Sequence, residues 1–286
     1  MEYSLGILSV LAASIMWGIA PAIIKIGVRS HVDARGFNAV RVFVAAPVIA
    51  IILLVSGEPF IIPASMFGWL AILAASLLGP GLGDIAYIYS IREIGGGRAV
   101  TIGYTYILIS QFLAVLLLRE QPRIQLFIGS IIALIGVWLI AQEAKTESGS
   151  KKGVIAALIA SAAWGFGSIA NKYALYYVGP LTLSFLRILI LIPLMILLGY
   201  RGLRKSLDKR AFVMASITGV LSYGFGIPLF LYAINTVGVS VTVLVTALAP
   251  VLGKVFSVIL AKEKIIIKGV IGTMTTVIGI IIGVLG

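Results

Sequence analysis

This 286-residue sequence predicts an all-α integral membrane protein: ten transmembrane helices forming two inverted five-helix repeats. Three observations predict that fold. The chain is 60% hydrophobic and 11% charged, with a mean hydropathy of +1.15, too little polar surface to cover a water-soluble globule. Apolar runs of about 20 residues, the helix length that spans roughly 30 Å of hydrocarbon, recur from Ser4 almost to the last residue. The sequence also matches itself across its midpoint.

Taken in order, the runs place spans 1 to 10 near 4–24, 36–55, 64–91, 99–118, 124–141, 153–171, 180–199, 211–233, 239–261 and 265–285. Span 1 lacks a basic leading region and an Ala-x-Ala-like cleavage site, so it reads as a retained helix and not a signal peptide. Loops after odd-numbered spans carry Lys25, Arg29, Arg35, Arg92, Arg98, Lys145, Lys151, Lys152, Arg201, Arg204, Lys205, Lys209, Arg210, Lys262, Lys264 and Lys268. The opposite side has Arg119, Arg123 and Lys172. The positive-inside rule applied to that asymmetry puts both termini outside. The net charge of +12 thus has anionic lipid headgroups as its partner, not nucleic acid.

The self-match pairs Gly6 to Gly18 (GILSVLAASIMWG) with Gly153 to Gly165 (GVIAALIASAAWG), so Ser14 meets Ser161, Trp17 meets Trp164 and, beyond, Lys25 meets Lys172. Arg41 and Pro47 fall opposite Arg187 and Pro193. Gly81, Gly83, Tyr89 and Gly95 fall opposite Gly224, Gly226, Tyr232 and Gly238, and Glu120, Gly129 and Gly136 opposite Glu263, Gly272 and Gly279. The repeats are residues 1–141 and 153–286, joined by the polar linker 142–152 (QEAKTESGSKK). An odd number of spans per repeat inverts the second, and inverted repeats are the geometric basis of alternating access.

Several chemistries are excluded. The chain has no cysteine, hence no disulfide, thiolate metal site or thiol nucleophile. Its one histidine, His31, sits in a polar loop. The spans hold no paired carboxylates, and a serine or threonine without a base is not a nucleophile. No Walker A sequence is present. An enzyme is therefore not expected, and neither a metal nor a cofactor is implied.

The W-G pair late in spans 1 and 6, the arginine early in spans 2 and 7, the glutamate closing spans 4 and 9 (LLLREQP, ILAKEK) and the following G-x6-G resemble the EamA-type carriers of the drug/metabolite transporter superfamily. The resemblance covers essentially the whole chain. It implies a central cavity lined by spans 1, 3, 4, 6, 8 and 9, with spans 5 and 10 peripheral, and small metabolites as cargo. It also implies cytoplasmic termini, the reverse of the loop-charge count. The small multidrug exporters of that superfamily carry a proton-taking carboxylate in helix 1. Ser14 and Ser161 on the corresponding faces argue against polyaromatic-cation antiport of that type.

Helices interrupted at matching places point to a binding site, because freed backbone groups can face a ligand only inside a cavity. Span 3 has Gly79, Pro80 and Gly83; span 8 has Gly226 and Pro228; span 9 has Pro250. Asp84 is the one carboxylate deep in a span, at an insertion cost on the order of 2.5–3.5 kcal/mol, and Lys254 the one lysine well inside another. They align with uncharged Ile227 and Gln111. Three readings follow: the two neutralise one another, they bind the ends of a zwitterion or an anion, or Asp84 exchanges protons. Further candidate binding residues are Ser14 and Trp17 on span 1, Tyr87 on span 3, Thr101, Tyr104 and Gln111 on span 4, Trp164 and Ser168 on span 6, Tyr223 on span 8 and Thr246 on span 9.

Arg41 and Arg187 lie one to two turns inside their spans, a depth that favours snorkelling to the headgroups. Glu120 and Glu263 are expected to pair with neighbouring Arg119, Arg123, Lys262 or Lys264, or to approach a gate. Gly279 and Gly283 form a GxxxG that suits either internal packing or a homodimer. The expected protein is a monomeric or dimeric multi-pass carrier of the cell membrane, its partners a small-molecule substrate and the lipid bilayer. It moves an amino acid or similar metabolite; export of amphipathic or cationic drug-like compounds, or a channel, are the alternatives.

Overall fold

A computed structural model describes residues 1–28, 32–142, 150–206, 208–261 and 267–286, with the side chains of 200–206 and 257–261 left aside. His31 and Glu263 lie outside the described residues, as does most of the polar linker. Every regular element among them is helical: α1 (Glu2–Gly18), α2 (Ala20–Gly27), α3 (Ala34–Ser56), α4 (Met66–Ser76), α5 (Asp84–Gly103), α6 (Tyr106–Leu118), α7 (Ile124–Ala141), α8 (Lys151–Leu175), α9 (Pro180–Ser206), α10 (Lys209–Thr218), α11 (Ile227–Val237), α12 (Val239–Val245), α13 (Leu248–Ala261) and α14 (Ile267–Leu285). Two π-helical segments, Leu77–Gly83 and Gly219–Gly226, join α4 to α5 and α10 to α11.

Nine helical runs among the described residues are long and apolar enough to cross a membrane. One of them, Met66–Leu118, contains 53 residues, about 80 Å if straight. It is not straight: Gly95 leaves helical geometry at φ 78°, ψ 160°, a conformation open to glycine and closed to residues with a Cβ. Gly238, at φ 87°, ψ 171°, separates α11 from α12 in the same way.

Local sequence accounts for several helix starts. Asp33 accepts from the Arg35 backbone N–H at 2.8 Å, Ser65 from Gly68 at 3.1 Å and Ser150 from Gly153 at 3.4 Å, each satisfying an orphan donor of the first turn. The break between α12 and α13 sits at Thr246–Ala247, four residues ahead of Pro250, whose ring opposes the carbonyl one turn back.

Two carboxylates cap helices far away in the chain. Glu58 accepts from the backbone N–H groups of Leu181 and Thr182 at 3.2 and 2.8 Å. Glu120 accepts from Val239 and Ser240 at 2.7 and 3.0 Å. The expected pairing of Glu120 with adjacent basic residues is thus replaced by capping of α12. A carboxylate at a helix N-terminus gains from both the orphan N–H groups and the dipole.

The core runs through the centre, where α8 packs on α5 and α6 and α1 packs on α11 and α13. A second apolar cluster, including Val42, Ile49, Leu191, Met195 and Tyr223, joins α3 to α9. Large apolar side chains such as Leu54, Leu197 and Leu285 point outward, as expected where the surrounding medium is hydrocarbon. At the periphery α7 and α14 meet through glycine: a Cβ on Gly279 would meet the Gly129 carbonyl at 2.5 Å and one on Gly272 the Gly136 carbonyl at 2.7 Å. The Gly279 and Gly283 face is accordingly occupied by α7 of the same chain.

Candidate functional site

Both π-helical segments border one central cavity of about 130 Å³. They occupy the places where the sequence predicts breaks, but the helix widens there and does not unwind. Pro80 and the surrounding glycines deny the tight α-helical pattern its usual donors and side chains, and the wider turn accommodates this. Asp84 begins α5 directly after the first segment, so the widened turn sets where its carboxylate points.

The Asp84 carboxylate is surrounded by donors. Arg41 Nη1 lies 3.0 Å from Oδ2, the Trp164 indole N–H donates to Oδ1 at 2.9 Å, and the Tyr223 hydroxyl lies 2.7 Å from Oδ2. Asn38 completes the cluster: its Oδ1 accepts from Arg41 at 3.0 Å and stands 2.7 Å from the Tyr223 hydroxyl, while its Nδ2 donates to the Pro80 carbonyl at 2.7 Å. The Arg41 guanidinium also lies 4.4 Å over the Tyr223 ring, a cation–π contact strengthened by desolvation.

Two sequence expectations are corrected by this cluster. Asp84 is ion-paired with Arg41, a partner the sequence reading did not propose, and Lys254 is not among the residues lining the cavity. Arg41 and Arg187 do not reach outward to headgroups: each is only 3% exposed. Arg41 closes on Asp84, and Arg187 lines the cavity. A buried guanidinium is retained inside because the carboxylate and the polar pocket replace its hydration, which a snorkelling side chain would take from headgroup water.

The two tryptophans cross over. Trp17 of α1 seats against Gly226 of the second π-helical segment, where a Cβ would lie 2.6 Å from its indole nitrogen, and its N–H donates to the Ser222 carbonyl at 3.4 Å. Trp164 of α8 seats against Gly83 of the first, where a Cβ would lie equally close. Tyr87 and Tyr106 pack on Trp164 with ring centroids 4.9 and 5.9 Å away, and Phe230 packs on Trp17 at 5.1 Å. Absence of a side chain at these glycines is what lets an indole lie on the backbone.

Of the predicted binding residues, Trp17, Asp84, Tyr87, Tyr104, Trp164, Ser168 and Tyr223 line the cavity, with Gly79 and Pro80. Others do not reach it. Ser14 donates to the Val10 carbonyl at 2.8 Å within its own helix, and Thr101 donates to Gly97 at 3.1 Å. Gln111 donates to the Ser240 carbonyl at 3.3 Å, binding α6 to α12. Thr246 stands behind the wall, 2.6 Å from the Tyr106 hydroxyl. Their hydroxyls, and the Gln111 amide N–H, are taken up by helix backbones or neighbouring helices. Unforeseen lining residues are Arg187, Tyr106, Asn171 and Ser222, and Asn38 was likewise unsuspected. A usable signal existed for Asn38, a polar residue one turn from Arg41 in an otherwise apolar span.

A helical membrane protein with a cavity of aromatic and partly charged walls has the architecture of a membrane transporter. Comparison makes this specific: the EamA-like transporter family matches residues 4–142 and again 151–285. The chain belongs to that family, part of the drug/metabolite transporter superfamily, and is a multi-pass integral protein of the cell membrane. It is 18% identical over 281 residues to the uncharacterized transporter YoaV of Bacillus subtilis (strain 168), covering 96% of this chain and 94% of the relative. An uncharacterized transporter of Clostridium kluyveri is 25% identical over 135 residues, 46% of this chain and 42% of that one. A solved crystal structure superimposes with a TM-score of 0.75 at 16% identity, over 99% of this chain and 97% of the other, a likeness of fold alone. The family and these relatives point to a membrane transporter rather than an enzyme.

Proposed function

We propose that the protein is a secondary carrier for a small organic metabolite, an amino acid or similar, working by alternating access between two inverted five-helix halves. In this reading Met66–Leu118 crosses the membrane twice, turning at Gly95 as the second half turns at Gly238, which brings the crossings to ten. The single observation that carries the proposal is the crossed seating of the tryptophans. Each half's tryptophan lies on the π-helical segment of the other, with one cavity between. Both contacts are closed together here, and rocking the halves opens one of them at a time, so two similar states exchange roles around a fixed site.

The absence of native cysteines makes the test direct. Ser168→Cys places a thiol on the cavity wall, and its labelling by a membrane-impermeant maleimide is measured in vesicles of both orientations. A carrier gives labelling from each side that competes with labelling from the other, together with saturable counterflow of a labelled amino acid in proteoliposomes. Simultaneous access from both sides with unsaturable flux identifies a channel and overturns the proposal.

A further inference from the structure

Arg41 and Arg187 occupy matching positions in the two halves of the sequence, and both are buried to the same extent, 3% exposed. Their electrostatic situations differ. Arg41 has Asp84 at 3.0 Å. The residue matching Asp84 in the other half is Ile227, so the carboxylate whose charge reaches Arg187 is the same Asp84 that is already bonded to Arg41, and two guanidiniums share one negative charge. Its Nε and Nη1 are buried without a hydrogen-bond partner in the protein. A buried guanidinium with unused donors is costly in a low-dielectric interior unless an anion meets it.

The surroundings are shaped to keep that guanidinium in place. It lies against Gly79 of the first π-helical segment, where a Cβ would stand 2.8 Å from Nη2. Asn171 Oδ1 and Ser222 Oγ are also buried without partners, and both residues line the same cavity as Arg187 and Asp84. The remaining wall is largely aromatic. A planar guanidinium with parallel N–H groups matches the two oxygens of a carboxylate. An inorganic anion would fill the charge requirement yet leave the aromatic wall unused.

We infer that Arg187 binds the carboxylate of the transported solute, whose body is apolar or aromatic and lies against the tryptophan and tyrosine walls. The inference rests on the carrier reading above and gives it a substrate class. Arg41, already closed on Asp84, holds the wall together, while Arg187 supplies the positive charge that one shared carboxylate leaves over. One half of the duplicated arginine pair is structural and the other receives the ligand.

The test uses thermal unfolding of the detergent-purified full chain at constant ionic strength with 3-phenylpropionate, 3-phenylpropionamide and inorganic phosphate. Ligand binding stabilises the folded state by RT ln(1 + [L]/Kd) and so raises Tm with ligand concentration. The acid is expected to bind the wild type on the order of tenfold or more tightly than the amide, the difference a charge-assisted contact supplies. Arg187→Gln removes that preference and Arg187→Lys keeps part of it. Gly79→Ala, which displaces the guanidinium without deleting it, weakens the acid and spares the amide, and it serves if Arg187→Gln does not fold.

Equal affinity for acid and amide, no stabilisation by the acid, an unchanged preference in both Arg187→Gln and Gly79→Ala, or stabilisation by phosphate alone overturns the inference. Failure of the carrier reading looks different. Ser168→Cys access that does not alternate, alongside an intact acid preference, leaves the Arg187 site standing and removes the transport cycle. Alternating access without any acid preference does the reverse.

Discussion

Trp164 donates its indole N–H to Asp84 at 2.9 Å from a different helix, α8, while Arg41 holds the other carboxylate oxygen at 3.0 Å. One acidic side chain therefore joins α3, α5 and α8, and through Tyr223 the second π-helical segment as well. Trp164→Phe keeps the aromatic packing and removes the donor, so it is expected to lower stability by about 1–2 kcal/mol. A Tm measurement in detergent checks it, with retention of wild-type stability as the contrary result.

Removing the charge has a larger effect. Asp84→Asn leaves Arg41 buried without its counter-ion, and loss of one partner of such a pair is expected to destabilise by about 3–5 kcal/mol. The double variant Asp84→Leu with Arg41→Met is expected to lose less than the sum of its single variants. Additive losses in a double-mutant cycle would show that the two residues act independently.

Glu120 and Glu58 predict a pair of parallel outcomes at the surface. Glu120→Ala frees the N–H groups of Val239 and Ser240, and Glu58→Ala those of Leu181 and Thr182. Each is expected to cost about 1–2 kcal/mol, with the Gln variants intermediate because the amide oxygen still accepts. Hydrogen exchange should rise locally at the start of α12 or α9; a change spread over the whole chain would contradict a capping role.

The crossed tryptophans give a spectroscopic prediction. Gly226→Val drives a side chain into the Trp17 indole, 2.6 Å from where the new Cβ would stand. In a background with lipid-facing Trp69 and Trp138 replaced by Phe, the combined emission of the two remaining tryptophans, Trp17 and Trp164, should shift and counterflow should fall several-fold, with the protein still folded. Unchanged emission would mean that the seat tolerates a side chain.

Gly279→Leu tests the α7–α14 seam. The new side chain meets Ala133 and the Gly129 carbonyl, backbone that has no room to give, and overpacking of this kind typically costs about 1–3 kcal/mol. Lowered Tm with no change in oligomeric state on gel filtration is the expected result. Dissociation of a dimer at wild-type Tm would place this face between chains.

Composition and periodicity were enough to read helices, their number to within one run, and the glycine–proline places where α4–α5 and α10–α11 change character. Apolar length is a local property, set by the thickness of the bilayer, and glycine and proline act on their own backbone. Asp84, Trp17 and Trp164 were legible as residues of the cavity wall because a carboxylate deep in a span and a duplicated W-G each demand explanation within a single helix. Partners were not legible. Whether Asp84 meets Arg41 or Lys254, whether Arg187 turns outward or inward, and whether Ser14, Thr101 or Thr246 spends its hydroxyl on a backbone carbonyl all depend on which helix lies alongside and at what rotation. Those choices are made by packing, where π-helical turns and side-chain-free glycines let an indole or a guanidinium lie directly on a neighbouring backbone. The sequence by itself determined that this chain lives in a membrane and where its helices change character; the tertiary structure decided that one of its two buried arginines closes on Asp84 while the other lines the cavity.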